Sequence, residues 1–204
     1  MKGLRISALG IALGALAVAS QAQTGGSVAI CPWQFNDGNV TSRTMVTDTL
    51  AKILEHNGYT VLTQGTVEDS YRSMAPGMRM RHGLPDVGDL GKYSTSVGAG
   101  RLVYGTTSWH TRSIWVGTGP KTISTADVDL YIYGAKSGKI VYQRHAQGRS
   151  DERESVLKDV GDVLLTPLIT VVSGGPATPR EQRAAQIAIA RAIRPWIRRH
   201  DQPK

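Results

Sequence analysis

The sequence predicts an α/β fold: one layered domain with a mixed sheet, built from an N-terminal βαβ unit, an antiparallel three-stranded meander and C-terminal helices. Three observations predict it. Two short apolar runs, residues 28–31 and 59–62, flank a helical stripe. Residues 102–142 are rich in β-branched and aromatic side chains, alternate apolar with polar over part of their length, and are punctuated by glycine-bearing turns. From Asp151 onward, helix-start signals and a helical period return.

Ahead of these elements stands an export signal. Lys2 and Arg5 supply the positive end, residues 6–18 are apolar and uncharged, and Ser20-Gln21-Ala22 places small residues at −3 and −1 of a cleavage site. Ala17-Val18-Ala19 is a second choice of site. The apolar stretch is shorter than the roughly 20 residues a spanning helix needs, so residues 1–22 read as a cleavable signal peptide. A lipoprotein signal needs a cysteine just after the small residues, and the single cysteine, Cys31, lies further on. Residues 163–172, broken by Thr166 and Pro167, are too short to span a membrane. A soluble periplasmic or secreted chain is expected, with residues 23–204 forming a single domain whose helical extension begins at about 173.

The first strand is Val28-Ala29-Ile30-Cys31, apolar throughout and closed by Pro32. A domain of this size buries a core without staples, and a lone cysteine forms no internal disulfide. Cys31 therefore reads as a small buried hydrophobe rather than a nucleophile. Asn36-Asp37-Gly38-Asn39 is a turn. Val46, Leu50, Ile53 and Leu54 form the stripe of the first helix, with Thr41 or Ser42 as its cap and Asn57-Gly58 as its left-handed end. Tyr59-Thr60-Val61-Leu62 is the next strand, parallel to the first. Residues 67–74 suit a short helix, 76–85 a loop, and 86–97 a helix opened by Asp86.

Residues 102–116 make a long strand and Gly117-Thr118-Gly119-Pro120 a turn. In the strand that follows, Ala126, Val128, Leu130 and Ile132 alternate with Asp127, Asp129, Tyr131 and Tyr133, a half-buried strand with one wet face. Lys136-Ser137-Gly138-Lys139 turns into a return strand at Ile140. Asp151 and Glu154 suggest a capping box for a helix through Val156, Val160, Val163 and Leu164. Residues 168–172 read either as a strand or as that helix continuing past a Pro167 kink, and 173–176 break the chain. Thr178-Pro179-Arg180-Glu181 is a strong helix start; the helix should run to about Arg194, with Pro195 kinking or ending it.

Loss of Lys2 and Arg5 with the leader takes the formal charge from +8 to +6. Arg191, Arg194, Arg198, Arg199 and Lys204 supply much of the excess. As a helix end they complement the dipole; the same basic C-terminus suits a peripheral contact with anionic membrane or cell wall. Export argues against a nucleic-acid partner.

No constellation assigns a catalytic residue, a metal site or a cofactor. Gly117-Thr-Gly-Pro-Lys121-Thr122 lacks the glycine before the lysine that a phosphate loop needs, and a strand follows it. Gly174-Gly175 matches no dinucleotide fingerprint. His56, His82, His110, His145 and His200 show no ligand spacing. Asp127 and Asp129 share a strand face roughly 7 Å apart, a spacing open to acid–base work or to a solvated surface. Gly148-Arg-Ser150-Asp is not a nucleophile elbow. Trp109, Arg112 and Trp115 are the candidate partner-binding residues. The tryptophans share strand parity, while Arg112 and His110 point the other way. Trp and Arg dominate interfaces, although plain core beneath the helices accounts for the tryptophans as well.

Val28-Ala-Ile-Cys-Pro-Trp33, Asn57-Gly-Tyr-Thr-Val61, Ala99-Gly-Arg-Leu-Val-Tyr-Gly105 and Ala126-Asp-Val-Asp-Leu130 followed by Ser137-Gly-Lys-Ile-Val141 carry a resemblance. Over about residues 27–165 the chain resembles the CsgG-like, LpoB-like and TolB N-terminal group of periplasmic α/β domains. The resemblance implies a non-enzymatic envelope protein acting through contacts with an envelope protein partner, in secretion, cell-wall synthesis or envelope assembly; a homo-oligomer is compatible with it. The anchoring cysteine of the lipoprotein members is missing here, and the extension over 173–199 has no counterpart placed in the group, so pore formation is not implied. The alternative function is a secreted hydrolase using Asp127, Asp129 or His110.

Overall fold

In a computed structural model of the chain, residues 26–35, 40–81, 84–151 and 178–200 are described. The export signal, the turn at 36–39, His82, the helix expected after Asp151, the ambiguous 168–172 segment, Gly174-Gly175 and Lys204 lie outside the described residues.

Strands β1 (Ser27–Ile30), β2 (Gln34–Phe35) and β3 (Thr60–Val61) surround helix α1 (Val40–His56). Helix α2 (Gln64–Met74) passes through a 3-10 turn at Ala75–Gly77 into β4 (Met80–Arg81) and β5 (Leu84–Pro85), then helix α3 (Val87–Val97). The long strands β6 (Arg101–Val116), β7 (Gly119–Gly134) and β8 (Lys139–Arg149) follow, and helix α4 (Pro179–His200) comes last. The main sheet runs β3-β1-β6-β7-β8, with β2 added beside β6. Pairs β1–β3, β1–β6 and β2–β6 are parallel, while β6–β7 and β7–β8 are antiparallel. The mixed sheet, the βαβ unit and the meander are those the sequence predicts.

Helix α1 opens at Val40, which puts Thr41 and Ser42 within its first turn. Burial of Val46, Leu50 and Leu54 holds it in place. Its end is as expected: Gly58 turns left-handed with φ 78°, and its N–H donates to the Glu55 carbonyl at 3.0 Å. Asp86 caps α3, accepting from Gly88 N–H at 2.9 Å. The 76–85 stretch is more than a loop, since β4 and β5 pair within it. The β6–β7 turn is tighter than the four residues expected, because Gly119 and Pro120 already pair with Val116 and Trp115.

Pro195 does not end the last helix. Helix α4 continues through it to His200. Burial offsets the lost hydrogen bond: Trp196 is enclosed and stacks on Tyr59 at 4.9 Å, with Arg101 5.6 Å above its ring, and Ile197 is buried beside it. Helix α4 is also no peripheral extension. It packs on β7 and β8 through Ala184, Ala185, Ala188, Ile189 and Ala192.

Two clusters separate the layers. One sheet face, with Val28, Ile30, Val103, Trp109, Val128 and Leu130, packs under α1 and α4. The other, with Ala29, Cys31, Leu102, Tyr104 and Tyr133, packs under α2 and α3. On that face of β7, expected to be wet, Tyr133 is buried while Asp127 and Asp129 are half-buried.

Cys31 is 1 % exposed, and burial pushes its thiol up to about 12. Iodoacetamide at pH 8 should leave the native chain unmodified and label it only on unfolding; rapid native labelling would contradict this burial. Burial also lifts Tyr104 to about 12, from 10.0. Both groups favour the folded chain in their neutral forms. Their contribution is whole below the ordinary thiol value of 9.0 and is lost as pH rises toward about 12. The urea midpoint should accordingly fall over that interval.

Candidate functional site

Strands β6 and β7 outrun their neighbours. Along one side of β6, β2 ends opposite Thr107, and along the outer side of β7, β8 ends opposite Thr125. Beyond those points the two strands continue as a two-stranded arm. Among the described residues, no strand pairs with the β6 edge over 108–116.

The root of the arm is tied to the start of α4. Thr178 and Glu181 form the expected capping box: Thr178 N–H donates to Glu181 Oε2 at 2.7 Å, and Glu181 N–H to Thr178 Oγ1 at 3.3 Å. The other carboxylate oxygen of Glu181 accepts from Thr111 Oγ1 at 2.8 Å, and Arg180 Nη1 donates to the Thr122 carbonyl at 3.2 Å. One cap thus serves both helix and arm. A second tie runs through Asp151, which holds Lys121 at 3.4 Å and Arg149 at 3.1 Å. Slight burial works to raise its carboxyl pKa, but the hydrogen bonds from Lys121 and Arg149 outweigh that and hold it below the usual range.

The three candidate partner-binding residues separate along β6. Trp109 is 9 % exposed and belongs to the core beneath α4. Arg112 is exposed on the opposite face, and Trp115, near the tip, is 77 % exposed.

Asp127 and Asp129 do meet partners, on the open face of β7 and β8. His145 lies between them, with Nδ1 3.0 Å from Asp129 Oδ1 and Nε2 3.6 Å from Asp127 Oδ1. Gln147 Nε2 donates to Asp127 Oδ1 at 3.0 Å. His110 stands instead opposite Thr125, beyond the Ser108–Asp127 pair. His145 and Gln147 are the residues that sequence reasoning missed. Exposed cross-strand pairs of this kind contribute about 0.2–1 kcal/mol each, so the cluster's plain role is to fasten β8 to β7. Among the described residues, no group of His, Cys, Asp and Glu is arranged to hold a metal ion.

At the C-terminus, Arg191 Nη1 donates to the Gln147 carbonyl at 2.8 Å, so it is committed to the sheet, while Arg198 and Arg199 are exposed. No described helix is long and apolar enough to cross a membrane.

No family model and no curated protein matches the chain. Solved structures are similar to it in fold. Lipoprotein GNA1162 from Neisseria meningitidis is 15 % identical, with 70 % of this chain and 96 % of that one covered and a TM-score of 0.46. The LpoB C-terminal domain from Salmonella enterica is 17 % identical over 63 % of this chain and 86 % of that one, with a TM-score of 0.39. A PelC dodecamer from Paraburkholderia phytofirmans is 11 % identical over 84 % and 87 %, with a TM-score of 0.46.

Proposed function

We propose that the chain is an exported, non-enzymatic envelope protein that acts as a binding or assembly module through protein–protein contacts. The observation that carries this reading is the arm. Among the described residues no strand pairs with the β6 edge over 108–116, an edge to which a partner strand can add, and proteins ordinarily cover or blunt such edges unless they are used. The edge is held out by Thr111–Glu181 and Arg180–Thr122 rather than left to collapse onto the sheet. Arg112 supplies an exposed charged contact beside it, and Trp109 is the apolar footing beneath.

The test is photo-crosslinking in cells. A photoreactive residue at position 112 of the exported chain should give one discrete adduct containing an envelope protein, and the same residue at the exposed position 52 on α1 should not. Equal diffuse labelling from both positions, or no adduct from 112, would remove the arm as the contact surface.

A further inference from the structure

The tip of the arm carries a surface distinct from its edge. Trp115 is 77 % exposed and Val116 37 %, whereas Trp33, Trp109 and Trp196 are at 9 % or below. Of the chain's four tryptophans Trp115 alone is exposed, and with Val116 it forms a small apolar end on the hairpin. Ile114 precedes the pair and stands directly across the ladder from Lys121; Trp115 stands across from Pro120.

Charge narrows what the receiver is. Residues 102–126 contain no Asp or Glu at all. The arm and its root bring together the cations Arg112, Lys121, Arg149 and Arg180 against the carboxylates Asp151, which pairs with Lys121 and Arg149, and Glu181, which meets Thr111 at the root. An apolar Trp-bearing end with cations behind it is the composition of a membrane-interface anchor. Reach agrees. Val116 lies three residues beyond Ser113, the partner of Thr122 and so the level of the last tie to α4, and at the extended rise this projects the tip by about 10 Å. That is comparable to the ~5–10 Å depth of the headgroup–acyl boundary. Area argues the same way. One Trp and one Val on a two-residue turn present far less than the ~800 Å² per partner of an ordinary protein interface, but a bilayer needs no matching pocket.

We propose that the tip of the arm, Ile114-Trp115-Val116 with Arg112 and Lys121 behind it, inserts into the headgroup region of an anionic phospholipid bilayer. This goes beyond the protein-contact reading and does not depend on it, because the tip is the far end of the arm and the edge nearer the root can take a partner strand without it. The tip sets the distance and tilt of the sheet over the membrane, leaving the root-side part of the β6 edge, residues 108–111, clear of lipid.

The experiment mixes the exported chain with vesicles of phosphatidylcholine containing phosphatidylglycerol, and with phosphatidylcholine alone. Trp115 is the tryptophan that acrylamide reaches, so it reports on itself. The expected results are a blue shift and loss of acrylamide quenching with anionic vesicles, and at least tenfold weaker flotation for Trp115→Ser. The double variant Arg112→Gln/Lys121→Gln should bind less and lose most of its salt dependence. Circular dichroism of each variant checks that the fold is kept. Anionic vesicles that bind Trp115→Ser as well as the parent, or that bind the parent with Trp115 still fully quenchable, would overturn the proposal, as would no vesicle binding at all. The crosslink from position 112 is scored separately on Trp115→Ser: its loss together with unchanged vesicle binding would make the tip a protein contact instead.

Discussion

Replacing Gly148 with valine is expected to cost about 3 kcal/mol or more of folding stability, among the largest effects any single substitution in the chain should have. Gly148 is a buried position of β8 facing α4. A Cβ built there would meet the Ala188 backbone nitrogen at 2.5 Å and the Ile187 Cβ at 3.0 Å, and would also collide with the Ala184 carbonyl oxygen. Two of those three atoms are helix backbone, which has no rotamer to change. The helix would have to lift off the sheet as a body. Ala184, Ala185, Ala188 and Ala192 explain why it lies so close, since small side chains let helix and strand backbones approach. Lifting it would also strain the Glu181–Thr111 and Arg191–Gln147 bonds on either side of the contact. Urea unfolding followed by far-UV circular dichroism measures the change. A midpoint that moves by less than 1 kcal/mol equivalent would show that α4 does not rest on Gly148.

The parts of the fold legible from sequence are those that depend on short-range pattern. Val28-Ala29-Ile30 and the stripe through Val46 and Leu54 mark a βαβ unit because buried parallel strands and amphipathic helices each have their own period. Thr178 and Glu181 announce a helix start because a capping box is local chemistry. Pro195 shows where that reasoning stops. Proline's local preference argues for a helix end, but the burial of Trp196 and Ile197 against Tyr59 outweighs it, and nothing near position 195 announces a partner at position 59.

The acidic cluster failed to emerge for a related reason. Counting back from the β7–β8 turn in perfect register puts Asp129 opposite Arg144 and Asp127 opposite Ala146, so that His145 and Gln147 would fall on the other face. A register shift at Ile132/Tyr133 moves β8 by one residue and brings His145 to Asp129 and Gln147 to Asp127. A one-residue slip exchanges the two faces of a strand. The alternation of β7 is plain in the sequence; the bulge that decides which β8 residues meet it is not.

Trp109→Ala is expected to destabilise the chain by about 3–5 kcal/mol, the range for removing a buried tryptophan, while Trp115→Ala should stay within about 0.5 kcal/mol of the parent. The two residues have the same type, strand and parity, and differ only in what lies over them. Trp109 is opposite Ala126, under α4. Six residues further along, Trp115 has passed the first turn of that helix, where Glu181 and Arg180 already reach back to Thr111 and Thr122. Strand periodicity reports which face a side chain occupies, not where the covering helix stops, so parity alone could not divide the pair. The measurement is a pair of urea titrations with the vesicle and crosslinking assays run on the same samples. If Trp109→Ala unfolds readily and Trp115→Ala loses vesicle binding at full stability, one tryptophan is footing for the arm and the other its contact. Should both variants prove equally stable, the core beneath α4 would not include Trp109, and the arm would lack the rigid root on which its projection rests.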